Sequence, residues 1–242
     1  MQIIISEDYS SLSMQAAELV ASFLRESSTT PLLCAASGDS PLGLYNQLCQ
    51  LKQQGIIDTS KWAVVSLDEW VGLNLADEGS CASSIALNLT KPLKLDEKNV
   101  CFFDGRRSDT EVVCREVESF IDRFKGIDVA ILGLGMNGHI GLNEPGTPAS
   151  IRTHVSTLEP LTKQVGQKYF DKPMALQQGI TLGIGNLMES KHLILVVNGS
   201  KKADIVKQML EGPVTESLPA SLFLSHPSIY IFLDKEAASK LQ

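Results

Sequence analysis

The sequence predicts an α/β fold: a mostly parallel, Rossmann-like sheet with helices on both faces, built as a single domain over residues 1–242. Three observations carry that reading. Strand and helix patterns alternate along the whole chain, the order that produces parallel strands joined by helices. The run from Ile127 to Leu132, apolar except for Asp128, suits a strand buried on both faces. No linker, repeat or low-complexity segment divides the chain, and its 43% hydrophobic and 20% charged composition is that of an ordinary globular domain.

The elements follow in order. Residues 2–5 read as a strand. Residues 11–25 read as a helix with Leu12, Ala16, Leu19, Val20 and Phe23 on one face. A strand over 31–36 leads into a helix over 41–54, with Ser40 as its N-cap, Pro41 at the first helical position and Gly55 as its stop. Residues 62–67 form a strand, 81–89 a helix and 100–103 a short strand. Ser108, with Glu111 three residues on, suits the cap of a helix reaching Phe124. After the central strand come a helix over 161–170, a short apolar stretch over 180–182, a strand over 192–197, a helix over 200–210 and a last strand over 229–233.

The central strand runs into Gly133, Gly135, Gly138, His139, Asn143, Glu144, Pro145 and Gly146. Pro145 and the glycines forbid a regular helix there, so a buried strand delivers a rigid polar loop at its carboxyl end. In open α/β sheets ligands bind at that end. The spacing Gly133-x-Gly135-x-x-Gly138 matches a dinucleotide fingerprint, but the fingerprint requires a helix at the third glycine, and His-Ile-Gly-Leu-Asn-Glu-Pro follows instead.

Composition excludes several classes. A net charge of −7 argues against nucleic acid as a partner. No apolar run approaches the ~20 residues of a membrane helix, and no charged and apolar leader precedes the first strand, so no signal peptide and no membrane partner are expected. Five scattered cysteines without C-x-x-C read as reduced thiols of a cytoplasmic protein. Four histidines without H-E-x-x-H or a Cys cluster give no metal site, and no nucleophile elbow is present.

Three stretches carry polar chemistry. Ser37, Gly38, Asp39 and Ser40 join a strand to a helix N-terminus, where free N–H groups, hydroxyls and the helix dipole favour an anion. Asp39 suits that role only if its carboxylate points away. Asp68 and Glu69 close an apolar run; in an arbitrary protein they would be solvated turn residues, and alternation sends their side chains to opposite sides. His139 with Glu144 nearby is poised to move protons near neutral pH.

The loop GLGMNGHIGLNEPG resembles the signature of the glucosamine-6-phosphate deaminases, close to G-x-G-x-D-G-H-I-A-F-N-E-P. Leu67-Asp68-Glu69-Trp70-Val71-Gly72-Leu73 and Thr181-Leu182-Gly183-Ile184-Gly185 match in the same order, so the resemblance covers nearly the whole chain. The variants LDEW, NGH and GLNEPG are closer to the galactosamine-6-phosphate isomerase branch. The resemblance implies a cofactor-free, metal-free enzyme of amino-sugar metabolism, classed among hydrolases as well as isomerases and deaminases, monomeric or homo-oligomeric. Its substrate would be a small phosphorylated amino sugar. Galactosamine 6-phosphate would give tagatose 6-phosphate, or glucosamine 6-phosphate would give fructose 6-phosphate, with ammonia released.

It further implies roles for residues. Asp68 falls on the general base at C2. His139 falls on the ring-opening histidine and Glu144 on the carboxylate that orients it. The Ser37–Ser40 loop and Lys202 fall on phosphate ligands, and Lys168 on a phosphate-binding arginine. Asn137 departs from the family Asp. Asn hydrogen-bonds a histidine but carries no negative charge, which leaves Glu144 as the expected main partner of His139. Arg152 and His154 follow the loop without being placed by the sequence. Two other readings remain: a 6-phosphogluconolactonase, which Asn143-Glu144-Pro145 argues against, and a non-catalytic sugar-phosphate-sensing domain.

Overall fold

The computed structural model describes residues 1–27 and 29–242. Seven strands form one parallel sheet in the order β1 (Gln2–Ser6), β10 (Ile229–Asp234), β9 (His192–Val197), β6 (Val129–Gly133), β2 (Leu32–Ala35), β3 (Ala63–Ser66), β5 (Val100–Cys101). The run singled out in the sequence is the central strand β6, with Val129 to Leu132 buried. It pairs on one side with β9 and on the other with β2.

Side chains alternate across the strands and build two cores. Leu33, Ala35, Val64, Val129, Ile131 and Ile194 pack against α1 (Tyr9–Glu26) and α2 (Leu42–Gln53). Leu32, Cys34, Val65, Ala130, Leu132 and Leu195 pack against α4 (Thr110–Arg123), α6 (Ile184–Met188) and α7 (Ala203–Glu211). Helices therefore cover both faces of a mostly parallel sheet in one domain.

A second sheet departs from the sequence reading. β4 (Asp68–Trp70), β8 (Gln178–Thr181) and β7 (His154–Thr157) pair antiparallel in the order β4-β8-β7. Each has three or four residues, too few to show a period of two, and β7 was not expected at all. The chain changes sheets at Leu67. Its N–H still bonds Ala35 beside the parallel sheet, and its carbonyl accepts from Leu182. Asp68 is the next residue, so the base expected from the sequence sits on the switch between the two sheets. A third core of Trp70, Leu73, Cys81, Leu142, Leu158 and Leu176 fills the space beneath the small sheet, beside α3 (Cys81–Ile85) and α5 (Pro160–Gly166).

Two expected caps are corrected. Ser40 does not cap α2: Pro41 occupies the N-cap position, and the Ser40 hydroxyl donates to Asn198 Oδ1 at 2.7 Å. The Gly43 N–H is satisfied instead by the Tyr9 hydroxyl of α1 at 2.7 Å. A Cβ at Gly43 would stand 2.1 Å from Ser13 Oγ, so α1 and α2 approach this closely only with glycine there. Nor does Ser108 cap α4. Asp109 holds the N-cap position, and its carboxylate is engaged by Arg107 at 2.9 and 2.6 Å rather than by the helix.

Candidate active site

The carboxyl ends of β2, β3, β6 and β9 open into a cleft of about 850 Å³. It lies where the sheet topology places ligands. Ser37, Gly38, Asp39 and Ser40 line it from the end of β2, Asp68 from the sheet switch, Asn137 and His139 from the loop after β6, Lys168 from the segment after α5, and Lys202 from the turn after β9. Every site residue expected from the sequence reaches this wall except Glu144, which lies behind Asn137 and His139 and is 4% exposed. Arg152 and His154 lie elsewhere. Arg152 pairs with Glu189 at 2.6 Å and Glu118 at 3.5 Å, and the His154 ring contacts the Arg152 carbonyl at 2.9 Å.

Asp68 is 7% exposed, and its Oδ1 has no hydrogen-bond partner among the described residues. Burial pushes its carboxyl up to about 6, with the Cys81 thiol and His139 pulling the other way. Such a group is ionised at neutral pH and more basic than an exposed carboxylate. Glu69 faces the opposite way, as alternation requires. Its carboxylate accepts from the N–H groups of Trp70, Cys81 and Ala82 at 2.8, 3.0 and 2.9 Å.

The loop after β6 forms turns instead of a helix, which removes the structural context of a dinucleotide site. Gly135 lies under the imidazole: a Cβ there would fall 2.4 Å from His139 Cδ2, Cε1 and Nε2. His139 Nδ1 stands 2.7 Å from Asn137 Oδ1, 3.2 Å from Thr162 Oγ1 and 3.6 Å from Glu144 Oε2. The nearest partner is therefore Asn137, not Glu144 as the sequence suggested. Asn137 Nδ2 donates to Glu144 Oε2 at 2.8 Å. That contact fixes the amide, because only its NH₂ can face a carboxylate. Oδ1 then faces the ring and requires a proton on Nδ1, which leaves Nε2 bare in the neutral histidine. Glu144 is held by Asn137 and by the Glu159 N–H at 3.2 Å. Burial would raise its pKa, but hydrogen bonds from His139, Thr162 and Asn137 outweigh burial and lower it.

At the other end of the cleft Gly38 turns the loop at φ +97°. The Asp39 carboxylate is taken by Lys168 at 2.5 Å, so its charge is compensated rather than turned away. Lys202 donates to the Leu134 carbonyl, and burial, aided by the Lys168 charge, pulls its ammonium down to about 8. Two of its three protons remain for a ligand. Cys81, Thr162 and Asn198 also belong to this site and were not singled out in the sequence. Each is a lone small polar residue outside any motif, and only tertiary contact brings it in.

A family model described as glucosamine-6-phosphate isomerases/6-phosphogluconolactonase matches residues 7–231. A glucosamine-6-phosphate deaminase of Cutibacterium acnes is 37% identical over 242 residues, covering 100% of this chain and 92% of the relative. One of Thermoanaerobacter pseudethanolicus is 35% identical over 240 residues, covering 99% and 94%. The chain belongs to the glucosamine-6-phosphate isomerase/6-phosphogluconolactonase family. Within that family, the solved structure of a monomeric glucosamine-6-phosphate deaminase superposes with a TM-score of 0.95 at 33% identity, covering 99% of this chain and 100% of the other. A 6-phosphogluconolactonase from Trypanosoma cruzi superposes at 0.81 with 19% identity, covering 100% and 97%, a likeness of fold alone.

These findings correct one expectation. The hydrolase class does not describe the reaction for which the curated relatives are named, which is deamination. Hydrolases enter only through the lactonase side of the family, among structural neighbours of low identity. Among the described residues no group of three or more His, Cys, Asp or Glu is arranged to hold a metal, and no helix is long and apolar enough to cross a membrane.

Proposed function

We propose that this chain is a hexosamine-6-phosphate deaminase/isomerase. It opens the sugar ring, moves hydrogen from C2 to C1 to leave an imine at C2, and water hydrolyses that imine, releasing ammonia and leaving a ketose 6-phosphate. Galactosamine 6-phosphate would yield tagatose 6-phosphate, and glucosamine 6-phosphate would yield fructose 6-phosphate. The protein works in the cytoplasm as a monomer or homo-oligomer, with no nucleic-acid or membrane partner.

The observation that carries the reading is the Asp68 carboxylate, buried on the cleft wall with one oxygen unpartnered. A base that removes a carbon-bound proton must be ionised, unshielded by donors and held against the substrate. The phosphate docks on the Ser37–Ser40 loop with Lys202 and Lys168, and Asp39 gives up part of its hold on Lys168 as it does so. His139 works at Nε2, exchanging the proton that opens and closes the ring, while Asn137 holds its tautomer and Glu144 holds Asn137. Asp68 takes the C2 proton and returns it to C1. No step requires a metal or an organic cofactor.

Purified protein offered both hexosamine 6-phosphates and 6-phosphogluconolactone tests the reading. The expected result is ammonia together with ketose phosphate from at least one hexosamine. Hydrolysis of the lactone without ammonia from either sugar would make the protein a lactonase. Binding without turnover of any of the three would make it a sensor.

A further inference from the structure

The loop that carries His139 and Glu144 is held from outside by a turn to which the proposed chemistry gives no role. The loop's own backbone bonds are short-range: the Gly135 N–H reaches the His139 carbonyl at 2.9 Å, the Gly138 N–H the Gly135 carbonyl at 3.1 Å, and the Thr147 N–H the Glu144 carbonyl at 3.0 Å. Such bonds shape a loop without fixing where it stands, so its place is set by what packs against it.

Residues 215–221 pack there, between α7 and the start of a one-turn helix, α8 (Pro219–Leu222). The Ala220 N–H donates to the Gly138 carbonyl at 2.9 Å, and the Gly146 N–H donates to the Glu216 carbonyl at 2.8 Å. The Ala149 N–H donates to Glu216 Oε1 at 2.8 Å. Gly138 has φ +82°, and a Cβ on it would fall 2.2 Å from Leu218 Cδ1. Leu218 therefore fills the space against the residue that precedes His139. These contacts bracket the pair, on Gly138 before His139 and on Gly146 after Glu144. The turn is itself locked. Ser221 is 0% exposed; its hydroxyl accepts from the Thr215 N–H at 2.9 Å and donates to the Leu218 carbonyl at 2.7 Å.

We propose that Leu218 and Glu216 are positioning residues for ring opening, acting through the backbone of the loop that carries His139 and Glu144. The inference rests on the reading of His139 as the group that opens the ring. His139 bonds Asn137, and Asn137 bonds Glu144, at 2.7 and 2.8 Å. All three belong to the same loop, so these bonds keep the relay together while leaving its place in the cleft unset. Leu218 packed against Gly138 sets that place. Neither Leu218 nor Glu216 lines the cleft. Asp68 reaches the cleft from the switch between the two sheets, so proton transfer between C2 and C1 does not depend on this turn.

The test measures kcat and KM of wild type, Leu218→Ala, Leu218→Met, Glu216→Ala and His139→Gln. Each is given the cyclic hexosamine 6-phosphate that the protein turns over, and the same sugar locked in the open-chain form, with thermal unfolding to establish folding. Misplacement of a reacting group by about 1 Å costs up to ~10²-fold, so Leu218→Ala should lower kcat on the cyclic sugar by about tenfold or more, with KM unchanged. It should handle the open-chain sugar at the wild-type rate, and Leu218→Met, which refills the space, should restore the cyclic rate. Glu216→Ala removes one acceptor and keeps the carbonyl contact, so it should show the same pattern at about two- to threefold. If Leu218→Ala does not fold, Glu216→Ala, a change at an exposed side chain, decides by the same criteria. A wild-type kcat on the cyclic sugar, or an equal loss on both sugars, overturns the inference while leaving the reading of His139 in place. His139→Gln turning over the cyclic sugar at the wild-type rate overturns that reading, and the inference with it.

Discussion

The two ends of the cleft each hold an aspartate, in opposite circumstances. Asp39 has a side chain 66% exposed and an ion pair with Lys168. Asp68 is 7% exposed, lines the cleft and has one buried oxygen, Oδ1, without a hydrogen-bond partner among the described residues. The first is what a binding end can tolerate, because water and an adjacent cation compensate the charge and a ligand can rearrange the pair. The second is what a proton-transfer end requires, because burial makes the carboxylate more basic and outweighs the opposing pull of Cys81 and His139. The lysines divide similarly: Lys168 is nearly half exposed and paired, whereas Lys202 is buried enough to fall to about 8.

Breaking the buried end should have the largest effect. Asp68→Asn should lower turnover by ~10²–10⁴ while substrate binding persists, since an amide cannot accept the C2 proton. In the wild type, kcat/KM should fall below about pH 6 as Asp68 becomes protonated. The same shift predicts a stability effect of opposite sense. A carboxyl whose folded pKa is raised contributes stability that is present below its unfolded value of 3.8 and is lost as pH rises through about 6. Asp68→Asn should therefore raise the unfolding temperature relative to wild type at neutral pH, and the gain should shrink on acidification through that window. An unfolding temperature that does not depend on this residue would mean that the carboxylate is not buried as described.

The binding end comes next. A hydrogen bond to a charged group contributes roughly 1.5–3 kcal/mol, so Lys202→Ala should raise KM by about ten- to a hundredfold with a smaller change in kcat. Because a buried ammonium at about 8 binds an anion only when protonated, kcat/KM should also decline above about pH 8 in the wild type and lose that limb in the variant. An unchanged KM in a folded variant would take Lys202 out of phosphate binding.

A smaller effect is expected between the two ends. Asn137→Asp places a second carboxylate against Glu144 and against His139 Nδ1, and on the proposed role of His139 it should alter the ring-opening step. Turnover of the cyclic sugar should change several-fold, whereas a substrate locked in the open-chain form should show no difference between variant and wild type. A difference that persists with the open-chain substrate would move Asn137 out of ring opening. The smallest change is expected from Asp39→Asn, which frees an exposed lysine and should lower KM by about two- to threefold, since such pairs contribute ~0–1 kcal/mol. A raised KM would show that Asp39 helps the anion bind.

The parallel scaffold was legible because its signals are long. The run from Ile127 to Leu132 and the alternation of elements gave the buried central strand and helices on both faces. The small antiparallel sheet was not legible, because strands of three or four residues carry no periodicity and their pairing, such as Asp68 with Thr181, is wholly long-range. At the site, the polar residues within motifs were readable: Ser37 to Ser40, Asp68 and His139 all reach the cleft. Their mutual arrangement was not. That Asn137 rather than Glu144 touches the imidazole depends on the turn geometry around Gly135 and Gly138. That Ser40 bonds Asn198 instead of capping α2 depends on Tyr9 arriving from another helix. Cys81 and Thr162 belong to no motif, and only packing brings them to the site.

The central claim is that Asp68 removes the C2 proton, and hydrogen exchange at that carbon reads it without relying on overall turnover. Wild type and Asp68→Asn are each held with a hexosamine 6-phosphate in deuterated water, binding is verified by calorimetry, and the C2 proton is followed by NMR. The account predicts loss of the C2 signal with wild type and its persistence with the variant over the same period, although the variant binds the sugar. Exchange by the substrate-bound variant at the wild-type rate would contradict it and assign the proton transfer to another group in the cleft.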